Sequence, residues 1–258
     1  MKKILPTIVF LWLLSFLFSY SVSADFERSY QYYIDQYNQY RNDLTKFLTA
    51  KNRYLTYDTL TSQTEALTAT KNFIISRDQT IILYLLMLLE KDIANNNRKL
   101  IESDILFYTD HKNLVPATAS LDDSFKIADD FTNHYPQTYI IAKKTIANLL
   151  ISKIRGFDDK LSNINNEIDL NINLIKDEGK DVSTIERWLL ETKNKQILSQ
   201  EKINQAEVLS NGFKSQSSNL NSEDLNNVLM LIQEANQYLK EAVNYQKEIV
   251  DELKYGNY

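Results

Sequence analysis

Apolar residues recur along this chain at alternating steps of three and four. From Phe26 the steps run through Tyr30, Tyr33, Tyr37, Tyr40, Leu44 and Phe47, then Lys51 and Tyr54. That is the seam of a helix packed on another helix. A second helix is predicted from about Leu60 to Asp110, on the order of 75 Å long at 1.5 Å per residue. Its centre, Ile81 to Leu89, is apolar on every side, as expected of a helix enclosed by others. Asn95, Asn96 and Asn97 weaken it, because asparagine is a modest helix former.

The stretch 111–120 interrupts the pattern. Pro116 disfavours helix before it, and Ser120 with Asp123 reads as a capping box for the next helix. Pro136 is expected to cut that helix short. A long helix is then predicted from about Gln137 to Lys176, with the seam Leu150, Ile154, Phe157, Leu161, Ile164, Ile168, Asn171 and Ile175. Asn171 on that seam would fix register, and Gly156 within the helix costs roughly 1 kcal/mol relative to alanine. Gly179 closes this helix. Ser183 with Glu186 reads as a second capping box, and Gly212 as a left-handed stop. The helix between them has a thin inner face of Ile185, Leu189, Ile203 and Ala206. Ser222 is expected to cap the last helix, with Glu223 and Asp224 near its positive end. Its seam is Leu225, Val228, Ile232, Ala235, Leu239, Ala242, Gln246, Ile249 and Leu253.

The expected fold is therefore all-α: an elongated antiparallel helical bundle with coiled-coil-like seams, five long helices and one short. Four glycines and three prolines in 258 residues leave too few turn residues for a strand-rich fold. Residues 25–258 are read as the bundle, with a sub-boundary near 112–119.

The first residues change the picture of location. Lys2 and Lys3 precede the apolar run Ile4 to Phe18, and Val22-Ser23-Ala24 precedes Asp25. This is the pattern of a secretory signal, residues 1–24, cleaved after Ala24. The alternative is an uncleaved N-terminal anchor, since the run approaches the roughly 20 residues that span a bilayer. No later segment reads as long and apolar enough to cross a membrane; Ile81 to Leu89 is too short. The chain is thus expected to be secreted, periplasmic or at the cell surface.

Cleavage would remove two lysines and no acid, taking the formal charge from −5 to −7. A mildly acidic chain with scattered lysines carries no footprint for nucleic acid. With no cysteine, stability must come from packing or partners rather than disulfides.

Little in the sequence is catalytic. There is no phosphate-binding glycine loop, no HExxH and no CxxC. His111 and His134 lie near expected helix ends and read as favourable cations there. Neither has glutamate three residues before it, as a di-iron bundle would need. From Asp169 the alternation of Asp169, Asn171 and Asn173 imitates a calcium loop, but Leu174 and Lys180 stand where glycine and glutamate are required. Asp122-Asp123 and Asp129-Asp130 read as a solvated face. No catalytic residue, metal ligand or cofactor is assigned.

The stretch YQYYIDQYNQY, residues 30 to 40, holds five of the 16 tyrosines. Four lie on the seam, all but Tyr32, and read as core with hydroxyls at the wet margin. The other reading is an aromatic strip that recognises a glycan or a protein. The candidate binding surface is Tyr32, Tyr33, Tyr37 and Tyr40, with Trp188 as a core residue or interface anchor.

The function expected is that of an exported, non-enzymatic structural or protein/ligand-binding module, with a protein partner or self-association. Paired apolar positions such as Tyr33 with Ile34 and Phe47 with Leu48 suit a bundle or oligomer. Two alternatives stand beside it: a membrane-active, pore-forming-like protein using residues 73–89, and a small-ligand sensor or enzyme with an inter-helix site.

Overall fold

The computed structural model describes residues 24–91, 97–213 and 222–255. Residues 1–23 of the expected leader lie outside them, as do Asn95, Asn96, residues 214–221 and the side chains of Ala24, Asp25, Phe26, Ser222 and Glu223. The described residues form six α-helices and no strand. They are α1 (Ala24–Tyr57), α2 (Leu60–Lys91), α3 (Arg98–Leu114), α4 (Leu121–Asp177), α5 (Ser183–Asn211) and α6 (Ser222–Tyr255), with a 3-10 turn at Val115–Ala117. The chain is an all-α helical bundle protein.

Two compact units divide between Ile146 and Ala147, within α4. The stretch 112–119 lies inside the N-terminal unit.

In the N-terminal unit, α1 and α2 run antiparallel. Arg53 pairs with Glu65 at 2.8 Å near the turn, and Ser29 Oγ donates to Glu90 at 2.6 Å at the far end. Asp58 takes a left-handed φ of 42° in the turn, where aspartate is tolerated. Thr59 and Ser62 then cap α2 reciprocally, each hydroxyl accepting the other's backbone N–H at 3.2 and 3.0 Å.

The single helix expected from Leu60 to Asp110 is two helices. Asn97 heads α3, and its side chain donates to Thr145 at 3.1 Å. Helix α3 folds back along α2, with Lys112 donating to Gln79 at 2.7 Å and Lys71 to the Pro116 carbonyl at 3.2 Å. The fold-back buries Leu85 and Leu88 against Ile101 and Tyr108. Helix α2 is also more membrane-like than its sequence reading. It carries an 18-residue window of mean hydropathy 1.3 with no more than two charges, 39 % of it buried. At 32 residues the helix meets the length that a bilayer requires, but Arg77 and Asp78 interrupt its apolar run between Ile75 and Ile81.

The expected break at Pro136 does not occur; α4 runs through it for 57 residues. Proline removes a helix hydrogen bond and crowds the preceding turn. Packing on both sides outweighs that cost: His134 bonds Asp104, Thr138 accepts from the Tyr108 hydroxyl, and Ile141 is core. The Ser120–Asp123 box is present, with the Asp123 N–H donating to Ser120 Oγ at 3.1 Å and Ser120 Oγ to the Asp123 carboxylate at 2.8 Å.

The C-terminal unit packs α5, α6 and the second part of α4 as three helices. Lys176–Glu186 and Arg155–Glu207 pairs run antiparallel between α4 and α5. Lys195–Glu241 and Lys202–Glu234 do so between α5 and α6. The predicted α6 seam from Val228 to Ile249 is buried. The predicted α4 seam is buried at Leu161, Ile164 and Ile168 and shifts by one residue at its end, where Ile172 is core. Asn171 is only half-buried and its side chain turns back to the Glu167 carbonyl. Asn165 is a buried polar residue of α4, and it donates to Gln196 and accepts from Gln246 at 2.7 Å. One carboxamide from each helix thus meets inside the bundle, an arrangement that penalises sliding of any helix by a turn.

Two further caps differ from expectation. Ser183 lies within the first turn, and its N–H is accepted by Asp181 at 2.9 Å, so the aspartate caps the helix in place of the serine. Gly179 closes α4 as expected, and does so in a left-handed conformation, φ 78°. Gly212 is right-handed at φ −76°, because its N–H still bonds Val208 and Leu209 in a continuing helical turn.

Candidate functional site

The chemistry of the N-terminal unit gathers where α1, α2, α3 and α4 approach one another. Three features stand out there: a buried ion cluster, an aromatic ladder and an open polar cleft.

The ion cluster sits in the middle of α2. Asp78 is fully buried. Arg77 donates to its Oδ1 through Nε at 3.1 Å and Nη2 at 3.0 Å. His111 Nδ1 lies 2.5 Å from Asp78 Oδ2, and His111 Nε2 lies 2.7 Å from the Ile127 carbonyl. A carbonyl oxygen can only accept and the carboxylate accepts too, so both ring nitrogens carry hydrogen and His111 is an imidazolium. One side chain from α3 thereby ties α2 to α4. The Arg77 guanidinium lies 3.3 Å from the Phe131 ring centroid and 5.9 Å from that of Phe73, a cation–π setting that offsets part of its desolvation. Burial is the largest influence on Arg77 and lowers its pKa.

His111 lies in the last turn of α3, as expected of it, but is buried and paired there; His134 departs from its expected place at a helix end. His134 is mid-helix, donates to Asp104 Oδ1 at 2.9 Å and stacks on Phe107 at 3.6 Å. The fold-back of α3 creates both pairings, which local sequence does not encode.

Burial pushes the His111 imidazole down. The Asp78 and Ile127 hydrogen bonds and the Asp78 charge push it up and prevail, so its pKa lies above 6.5. A raised folded-state pKa stabilises the fold fully below the unfolded value and loses that contribution as pH rises through the folded value. Thermal stability should therefore fall as pH is raised from about 6.5 into the alkaline range and His111 loses its proton. In His111→Met this slope should disappear. A wild-type melting profile flat across that range would contradict the imidazolium assignment.

The tyrosines of α1 divide. Tyr33 and Tyr40 are half-buried; Tyr33 packs 5.6 Å from Tyr84, and Tyr40 lies 5.8 Å from Phe73. Tyr30, Tyr32 and Tyr37 are exposed, so the core reading fails for Tyr30 and Tyr37. Helix α1 touches its neighbours along a narrower stripe than its heptad pattern suggests. Rings at Tyr37, Tyr33 and Tyr84 and at Tyr40, Phe73 and Phe47 form a ladder beside Tyr135. Burial raises the Tyr84 pKa to about 12, and it raises that of Tyr33 with help from Tyr37, Tyr30 and Tyr135. Trp188 belongs to the other unit, half-buried against the cluster around Ile168, Ile172 and Ile185.

The polar cleft has a volume of about 620 Å³ and opens between α1, α2 and α3. Gln36, Gln39 and Asp43 line one wall, and Ser76, Gln79 and Lys112 lie opposite. In the sequence, Gln36, Gln39, Asp43 and Lys46 recur at helical spacing beside the aromatic seam; that polar stripe was the available signal.

No protein family matches this chain, and neither a curated protein nor a solved structure does. Among the described residues no group of three metal-ligating side chains assembles. The acidic pairs are absorbed by the surface: Asp122, Asp129 and Asp130 are exposed or half-buried at the helix surface, and Asp123 serves the α4 cap.

Proposed function

We propose that this chain is an exported, non-enzymatic helical module that binds a protein partner through α1. The supporting observation is the lopsided burial of that helix. Of its residues from Glu27 to Tyr57, only Asp43 is fully buried, while Tyr30, Tyr32, Tyr37, Leu48, Leu55 and Tyr57 are exposed. Exposed tyrosines suit protein recognition because a rigid ring supplies apolar area and its hydroxyl remains satisfied. The occupant proposed is a second copy of the chain, in keeping with the heptad spacing of α1.

Sedimentation velocity on residues 25–258 tests this. The expected result is a dimer or larger assembly that Tyr32→Ser with Tyr37→Ser converts to monomer. A wild-type monomer at high micromolar concentration would sink it. The same protein, isolated from the medium or periplasm of its source and beginning at Asp25, would support export.

A second reading has its own observation, the span-like composition and incomplete burial of α2. Under it, α2 would be released to enter a bilayer. Absence of dye leakage from anionic and neutral vesicles at acidic and neutral pH would dismiss it.

A further inference from the structure

We infer that the polar cleft of the N-terminal unit is a binding site for a short peptide with free termini. The inference depends neither on export nor on self-association.

Its starting point is Asp43. Helix α1 buries one side chain fully among those described, and that side chain is a carboxylate, 6 % exposed. Burial of a carboxylate is costly unless charge and hydrogen bonds compensate it. Compensation here is incomplete. Oδ2 accepts from Gln39 Nε2 at 3.0 Å. Oδ1 has Lys46 Nζ at 3.6 Å, beyond hydrogen-bonding distance, and the Lys46 side chain is 60 % exposed. Oδ1 is therefore held only by this long ion pair to a side chain on the cleft wall, and a closer cationic donor entering the cleft can take the place of Lys46.

The opposite wall carries the complementary charge. Lys112 donates to Gln79 Oε1 at 2.7 Å, a neutral acceptor that a carboxylate would outcompete. Between these two charges stand carboxamides. Gln36 makes a long bond of 3.3 Å to the Ser76 carbonyl, and carboxamides offer donor and acceptor together. An ammonium for Asp43, a carboxylate for Lys112 and amide groups between them describe a short peptide. A neutral saccharide would satisfy the carboxamides but neither charge, and a simple cation would leave Lys112 without a carboxylate.

Isothermal titration calorimetry of the chain with trialanine tests the assignment. Trialanine should bind. N-acetylation or C-terminal amidation of the peptide should each weaken binding at least tenfold. Asp43→Asn should weaken trialanine binding by a similar factor while leaving the affinity of the acetylated peptide unchanged, because the lost contact is with the ammonium. Lys112→Gln, a half-exposed position whose replacement keeps the amide partner, should make affinity insensitive to amidation. No heat with trialanine at millimolar concentration would overturn the proposal. So would equal trialanine affinity in wild type and Asp43→Asn, or binding of maltotriose in preference to the peptide. Should Asp43→Asn fail to fold, the Lys112→Gln arm decides alone.

Discussion

Replacing Asp78 with alanine should cost the N-terminal unit about 3–5 kcal/mol, the usual penalty for removing one partner of a buried ion pair. Two positive groups share this one carboxylate: Arg77 through Oδ1 and His111 through Oδ2. Without it they face each other among aromatic rings, with no counter-charge in the cluster. Chemical denaturation followed by circular dichroism gives the magnitude. Native-state hydrogen exchange should show α2 and α3 opening more readily. A loss below about 1 kcal/mol would mean that water reaches the site and that the cluster contributes little. The charges themselves need not be favourable overall. Replacing Arg77, Asp78 and His111 together by leucines should recover most of the loss, because well-packed apolar side chains substitute for buried charges at little cost. Such a protein would also lack the pH dependence assigned to His111.

Adjacent leucines in α5 should behave in opposite ways. Leu189→Ala should destabilise the C-terminal unit by about 2–5 kcal/mol, and Leu190→Ala should stay within about 0.5 kcal/mol of wild type. Leu189 is 3 % exposed and packs with Ile164, Ile168 and Ile249; Leu190 is 58 % exposed. The residues are chemically identical and one step apart, so helical phase alone separates them. Thermal melting of both variants is sufficient. Equal losses would mean that the Leu190 side is covered in solution, and the α5 surface would then become an interface.

The α5 face shows why part of this fold could be read directly. Ile185, Leu189, Ile203 and Ala206 were expected inside and are buried. Its apparent thinness arises because Thr192, Gln196 and Ser199 occupy the remaining inner positions. Hydrophobicity cannot place such residues: Gln196 is satisfied by Asp158 and Asn165 of α4, and Thr192 by the Trp188 carbonyl of its own helix. Asn165 and Gln246 illustrate the same point: only Gln246 lay on a predicted seam, and the contact between them spans 81 residues of sequence. The tyrosine stretch fails differently. Its spacing is regular, but α1 presents a narrow stripe to its neighbours, so half of the pattern faces solvent.

The sequence by itself determined the helical class, the α6 seam, the break around Pro116, the Ser120 cap and the helix end at Gly179. Each depends on periodicity within one helix or on contacts within a few residues, where local sterics and hydrogen bonding dominate. The tertiary structure alone decided that α3 folds back on α2 and that Pro136 is carried through α4. It alone brought Asp78 to His111 and left Asp43 buried at the edge of a cleft. Those outcomes balance a local cost against burial supplied by distant segments: a proline in a helix, or an ion out of water. The energy of that balance becomes defined only once the helices have chosen their neighbours.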